Sequence, residues 1–246
     1  TRGGLVIIDR IVHRFIHRVR REDRGHEHGH ADGHVHDGGH ENGGGHAHDA
    51  HGGMYEEGRF AGEHAVRYER RARSRTRFYR GIARDTLALA PEGGHVLDVG
   101  TGPGQLVLEL ARARADARVT GVDLEPSMVE LAQQAVRTEL GGRDVRVHVG
   151  DVAELPLEAS SVDVVVASMT AHHWPDMPAA VRELVRVVRP GGALLVVDFR
   201  SAVEGQLTES VESAAPGARV TRKVRWAWGL PALATWEIRV PPTPTP

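Results

Sequence analysis

The chain predicts an α/β fold built on a doubly wound, mostly parallel sheet, and three observations carry that prediction. Short apolar strands alternate with helix-patterned segments between Val96 and Asp198. Acidic residues recur at the ends of these strands, where ligands of open α/β sheets sit. The run Val162–Ser168 is continuously apolar, as expected of a central parallel strand covered on both faces.

The elements follow in order. Val96-Leu97-Asp98-Val99 is a buried strand that runs into Gly100-Thr101-Gly102-Pro103-Gly104, with a helix beginning near Gln105. An acid inside an apolar strand needs a partner, and a ligand hydroxyl or ammonium beside the turn supplies one. The glycines let the backbone turn sharply and approach a ligand closely. A dinucleotide fingerprint needs its third glycine at position 105, where Gln105 stands. That spacing disfavours an NAD-dependent oxidoreductase.

Val119–Asp123 is a second strand ending in an acid, about twenty residues beyond the turn, where nucleotide-binding folds pair an acid with ribose hydroxyls. Ser127-x-x-Glu130 reads as a capping box opening the helix Met128–Leu140. Val145–Val149 is a third strand, followed at once by Gly150-Asp151. Ala179–Val188 has helical spacing through Val181, Leu184, Val185 and Val188. Arg189-Pro190-Gly191-Gly192 stops it, and Ala193–Asp198 is the next strand. Val220, Val224, Trp226 and Trp228 alternate with polar or small residues, as do Ala234, Trp236, Ile238 and Val240, with Gly229-Leu230-Pro231 between. The Trp residues read as sheet-packing aromatics rather than a substrate cage.

The pattern Asp98-x-Gly100-x-Gly102-x-Gly104 resembles motif I of the class I S-adenosylmethionine-dependent methyltransferases, and Val181–Asp198 resembles that family's helix, Arg-Pro-Gly-Gly turn and fifth strand. The resemblance covers roughly residues 75–240 and is general toward the ubiquinone/menaquinone-biosynthesis-type, small-molecule branch. It implies a Rossmann-like, seven-stranded sheet, mostly parallel with a terminal antiparallel strand. It also implies S-adenosylmethionine as cofactor. Asp98, Gly100, Thr101, Gly102 and Gly104 fall to its methionine end, Asp123 to the ribose, and Asp151 with Val152 to the adenine. Leu124, Met128 and Ser168 complete the implied cofactor-binding set.

Composition sets limits. The chain has 246 residues, 40% of them hydrophobic, and a net charge of −2, which predicts no general attraction to nucleic acid. Without cysteine it has no disulfide, thiolate metal site or cysteine nucleophile. The stretch Leu5–Val19 is too short and too interrupted by Asp9, Arg10, Arg14 and Arg18 to span a bilayer, and it lacks the apolar run of a signal peptide. A cytoplasmic protein is the expectation.

The first quarter is different material. Residues 1–24 form a basic amphipathic helix candidate, suited to docking on the domain or a second copy, or to lying on an anionic membrane surface through residues 5–19. Residues 25–53 hold His26, His28, His30, His34, His36, His40, His46, His48 and His51 among Gly, Asp and Glu, with almost nothing apolar to build a core. Such a tract is expected to be disordered without a ligand. Its imidazoles suit Zn²⁺ or Ni²⁺ in a fluxional chelator better than in one fixed site, and they equally suit a solvated linker. Residues 54–240 make up the methyltransferase-like domain. Residues 54–90 are its cap, read as helices over roughly Ala61–Arg73 and Arg77–Leu89, with arginines that suit an acidic substrate or a solvated face. Residues 241–246 are a Pro-rich tail.

The loop after the fourth strand holds the catalytic candidates. Family members acting on exocyclic amines of bases carry a Pro-Pro-aromatic motif there, whereas this chain has Met169-Thr170-Ala171-His172-His173-Trp174-Pro175. That departure favours a small-molecule acceptor. Histidine is a natural general base near neutral pH, and His172 and His173 lie just past the strand end, His173 slightly preferred. Wall or cap roles are the alternative for both. The activity implied is methyl transfer to an O, N, S or C nucleophile of a small molecule by in-line displacement. The competing function is a metal-responsive binding protein on the same fold, with the His-rich tract as chelator.

Overall fold

The computed structural model describes residues 75–227 and 230–242. The basic helix candidate, the histidine tract, the first cap helix and Trp228 lie outside them.

Helix α1 (Thr76–Leu87) leads into β1 (His95–Val99), α2 (Gln105–Ala113), β2 (Arg118–Asp123), α3 (Pro126–Glu139) and β3 (Val145–Val149). After β4 (Val162–Ser168) and a single 3-10 turn (Ala171–His173) come α4 (Met177–Val187), β5 (Val188–Phe199), α5 (Arg200–Ala214), β6 (Arg219–Ala227) and β7 (Leu230–Arg239). The seven strands form one sheet in the order β3-β2-β1-β4-β5-β7-β6. β1 through β5 pair in parallel, and β7 pairs antiparallel with both β5 and β6. This is the Rossmann-like sheet the sequence predicts. Its order reverses between β1 and β4, so a crevice opens there at the strands' carboxyl ends.

Strand alternation splits the core into two layers. Val96, Val119, Val166 and Leu195 face α1 and α2, packing on Ile82, Leu87, Leu106 and Leu110. Leu97, Val165, Leu194 and Val196 point the other way, onto Val181 and Leu184 of α4 and Val203 and Leu207 of α5. Each such fully buried aliphatic side chain contributes about 1.5–3 kcal/mol. α1 is also fastened by charge. Arg80 donates to the buried Glu109 of α2 at 2.8 Å, and Arg114 donates to the carbonyls of Leu87 at 2.7 Å and Ala90 at 3.0 Å, satisfying groups the helix end leaves open.

Three local expectations are corrected. α3 begins two residues earlier than a capping box at Ser127 requires. Its N-cap is Glu125, Pro126 occupies the first turn, and the Ser127 hydroxyl donates instead to the Glu125 carboxylate at 3.2 Å. Proline there needs no N–H partner and presets the helical φ. The Arg-Pro-Gly-Gly segment lies inside β5 as a bulge rather than between elements. Pairing to β4 steps from Val162–Val188 to Val164–Ala193, and residues 189–192 are displaced from the ladder, with Gly191 at φ 81°. β6 is the edge strand of the sheet, and its Val220 and Val224 are 40% exposed, unlike the buried Ala234, Trp236 and Ile238 of β7.

Candidate active site

The glycine turn is held from both sides. The N–H groups of Gly100 and Thr101 donate to the Val122 carbonyl at 2.8 and 3.1 Å, and the Gly102 N–H donates to Asp123 Oδ2 at 2.7 Å. Gly100 has φ 67°, and a Cβ there would meet Thr170 Oγ1 at 2.1 Å. Gly104 has φ 83° and faces Ala132 of α3, which a Cβ would meet at 2.9 Å. Only glycine combines that conformation with that closeness. The turn is thereby wedged between α3 and the loop that follows β4.

Under it lies Asp98, 1% exposed, its Oδ2 accepting from the Thr101 hydroxyl at 2.7 Å. Burial pushes its carboxyl up to about 7; the Thr101 hydrogen bond opposes this and the nearby Asp123 adds to it. Asp123 is also raised by burial, against hydrogen bonds from the Glu125 and Gly102 N–H groups. A small cleft opens between β1 and β4, bringing together Asp98, Gly100, Thr101, Gly102 and Ser168. Ser168 Oγ is buried and has no hydrogen-bond partner among the described residues, an orphan that a ligand group at this wall would satisfy.

The remaining cofactor candidates lie along the same edge, outside that lining. Asp123 closes β2 beside Gly102, and Leu124 next to it is 57% exposed. Met128 is buried in α3. Gly150 N–H donates to the Asp123 carbonyl at 3.0 Å, drawing the end of β3 toward that of β2. Asp151 there is exposed and accepts from the Ala153 N–H at 2.8 Å, while Val152 is half-buried against the core. Tyr79, Pro103, Gln105 and Leu106 line the cavity without having been singled out from the sequence. Gln105, one residue past the turn and 8% exposed, carried the clearest signal for it: a polar side chain buried at the helix start.

The two histidines are treated differently. His172 Nδ1 lies 2.7 Å from Asp198 Oδ1, and its backbone N–H donates to Asp198 Oδ2 at 3.2 Å. His173 is exposed, with its ring centroid 4.0 Å from that of His172. His172, not the slightly preferred His173, is the one the structure sets against a buried carboxylate. Among the described residues no group of three or more His, Asp or Glu could hold a metal ion, and no helix is long and apolar enough to cross a membrane. The metal-responsive reading rests on residues 25–53, outside the described residues.

Comparison with known proteins gives this geometry relatives. Residues 97–196 match the family described as Methyltransferase domain. The chain is 38% identical over 108 residues to 27-O-demethylrifamycin SV methyltransferase of Amycolatopsis mediterranei, covering 44% of this chain and 39% of that protein. It is 30% identical over 124 residues to the ubiquinone/menaquinone biosynthesis C-methyltransferase UbiE of Geotalea daltonii, covering 50% and 52%. The chain thus spans about half the length, or less, of these curated relatives. Among solved structures, a SAM dependent methyltransferase from Aquifex aeolicus superposes with a TM-score of 0.54 at 27% identity, over 62% of this chain and 84% of that one. Residues 97–196 are therefore similar to a methyltransferase domain, and the chain's likeness is to the small-molecule branch of the class I S-adenosylmethionine-dependent methyltransferases.

Proposed function

We propose that this chain transfers a methyl group from S-adenosylmethionine to an O, N, S or C nucleophile of a small molecule. One observation carries the reading: at the sheet's switch point, an under-compensated buried carboxylate, Asp98, and a hydroxyl without a partner among the described residues, Ser168, line one cleft against a glycine turn. A ligand with an ammonium and a carboxylate, as at the methionine end of the donor, complements that set. The family resemblance and the small-molecule methyltransferases among the relatives support the same assignment.

The donor supplies an already activated methyl on a positive sulfonium. The chain's work is to bind, align and exclude water, and alignment alone lowers a barrier by about 7–11 kcal/mol. In this reading Gly100–Gly104, Asp98, Thr101 and Ser168 hold the methionine end. Asp123 binds the ribose hydroxyls, and Leu124, Met128, Asp151 and Val152 surround the adenine. Exposure of Leu124 at 57% and Val149 at 50% fits a lip that a flat ring covers. His172 stands at the ends of β4 and β5, on the acceptor side. Titration with S-adenosylhomocysteine and, separately, NAD⁺ tests this: saturable binding of the former alone is expected, and binding of NAD⁺ alone overturns it.

A further inference from the structure

We propose that Asp198 is a positioning residue that fixes His172 as a proton acceptor, holding the imidazole in its Nδ1–H tautomer with Nε2 left free. Asp198 closes β5 and is fully buried. Its Oδ1 accepts from His172 Nδ1 and from the Phe199 N–H, both at 2.7 Å, and its Oδ2 accepts from the His172 N–H at 3.2 Å. An ionised carboxylate only accepts, so the ring nitrogen facing it carries the hydrogen. The Phe199 ring meets the imidazole edge to face, with centroids 5.2 Å apart, and fixes its plane. Nε2 has no hydrogen-bond partner among the described residues, and the side chain keeps 10% exposure.

A second histidine in the same sheet shows what a purely structural imidazole looks like. His95, at the opposite end of the strands, uses both nitrogens: Nδ1 to the Ser161 carbonyl at 3.0 Å and Nε2 to Thr120 Oγ1 at 2.8 Å. His172 has one nitrogen engaged and one open. The backbone leading to it is also unusual. Met169 has φ 58°, a left-handed conformation costing a non-glycine residue about 1–3 kcal/mol, and its N–H is tied to the Val197 carbonyl at 2.8 Å. The next residue, Thr170, sits against Gly100, so the loop bearing His172 is indexed to the turn beneath the cavity.

The purpose of this pair rests on the methyl-transfer reading. As the bond from the acceptor to the methyl carbon forms, the carbon–sulfur bond breaks and its electron pair returns to sulfur, leaving a neutral thioether. The acceptor's proton passes to His172 Nε2, and Asp198 stabilises the resulting imidazolium. Such a base serves an acceptor that loses a proton on methylation: a hydroxyl, a thiol or an enol-type carbon acid.

The test is ¹⁵N NMR of the histidine rings in the full chain, free and loaded with S-adenosylhomocysteine, for the wild type and Asp198→Ala. The wild type is expected to show His172 with Nδ1 protonated and Nε2 bare. Asp198→Ala removes the acceptor facing Nδ1, so His172 loses its single tautomer and Nε2 protonation appears, while His95 and S-adenosylhomocysteine affinity are unchanged. A wild type protonated at Nε2, or a variant that keeps Nδ1 protonated and Nε2 bare, overturns the proposal. Should Asp198→Ala not fold, the wild-type signal decides alone. Absent S-adenosylhomocysteine binding defeats the donor assignment instead, and the tautomer is still read in the free protein.

Discussion

Asp98 and Asp198 occupy like positions, each a buried carboxylate on a parallel strand of one sheet, yet their surroundings differ. Among the described residues Asp98 accepts from one donor, the Thr101 hydroxyl, and burial raises its carboxyl to about 7. Asp198 accepts from an imidazole and two backbone N–H groups. The β1–β3 half of the edge thus leaves a carboxylate short of compensation, which a cationic ligand corrects. The β4–β5 half supplies its own partner and hands the consequence to His172. One half is unfinished without a ligand, and the other is preset for proton transfer.

The largest expected effect separates these halves. Once an acceptor is in hand, Asp198→Asn lowers methyl transfer by about 10²–10⁴-fold, the scale seen when a carboxylate orienting a catalytic histidine becomes an amide, with donor affinity intact. Equal loss of donor affinity erases the distinction. Gly102→Val acts on the other half alone. It places a β-branched residue at φ 54° and disturbs the N–H bound to Asp123, so donor affinity falls by about 100-fold while the thermal transition stays cooperative.

A smaller effect follows from the raised carboxyl of Asp98. A ligand ammonium favours the ionised form, so binding expels a proton, and donor affinity rises by about tenfold between pH 6 and pH 8. Calorimetry in buffers of different ionisation heat reads that proton, and Asp98→Asn abolishes it. The same residue affects folding in the opposite sense. Its folded value lies above the unfolded 3.8, so the stability it contributes is present at low pH and lost as pH rises toward 7. Asp98→Asn is therefore expected to be more stable than the wild type at pH 8, by about 1–3 kcal/mol, despite binding more weakly.

The smallest effect belongs to His95, whose value is lowered by burial, with the Ser161 carbonyl opposing. The folded protein takes up this proton less readily than the unfolded chain, so stability declines as pH falls below 6.5. His95→Gln flattens that decline in urea unfolding series, and an unchanged slope removes His95 as its source.

β1 through β4 were legible to within a residue or two because parallel, doubly covered strands are written as apolar runs, as in Val162–Ser168, whereas β5 and β7 begin five and four residues before the runs that announced them. α5 was not read at all. Its buried side reduces to Val203, Leu207, Ser210 and Val211 in an otherwise polar helix, a stripe too narrow to announce itself. The donor half was visible locally, since Asp98 and its turn are adjacent in sequence. The His172–Asp198 pair was not, because 26 residues separate its members and only the β4–β5 pairing joins them. A signal did exist: Asp198 ends an apolar strand just as Asp123 does. Edge position was equally hidden, and Val220 and Val224 alternate like buried residues while standing 40% exposed.

The central claim is that the carboxyl edge of β1–β3 binds S-adenosylmethionine through Asp123 and the glycine turn. Isothermal titration of S-adenosylmethionine into the full chain and into Asp123→Ala tests it most directly. Saturable one-to-one binding by the wild type, lost or reduced by about 100-fold in a folded variant, is the predicted result. Undiminished binding by Asp123→Ala, or none by the wild type, contradicts the account.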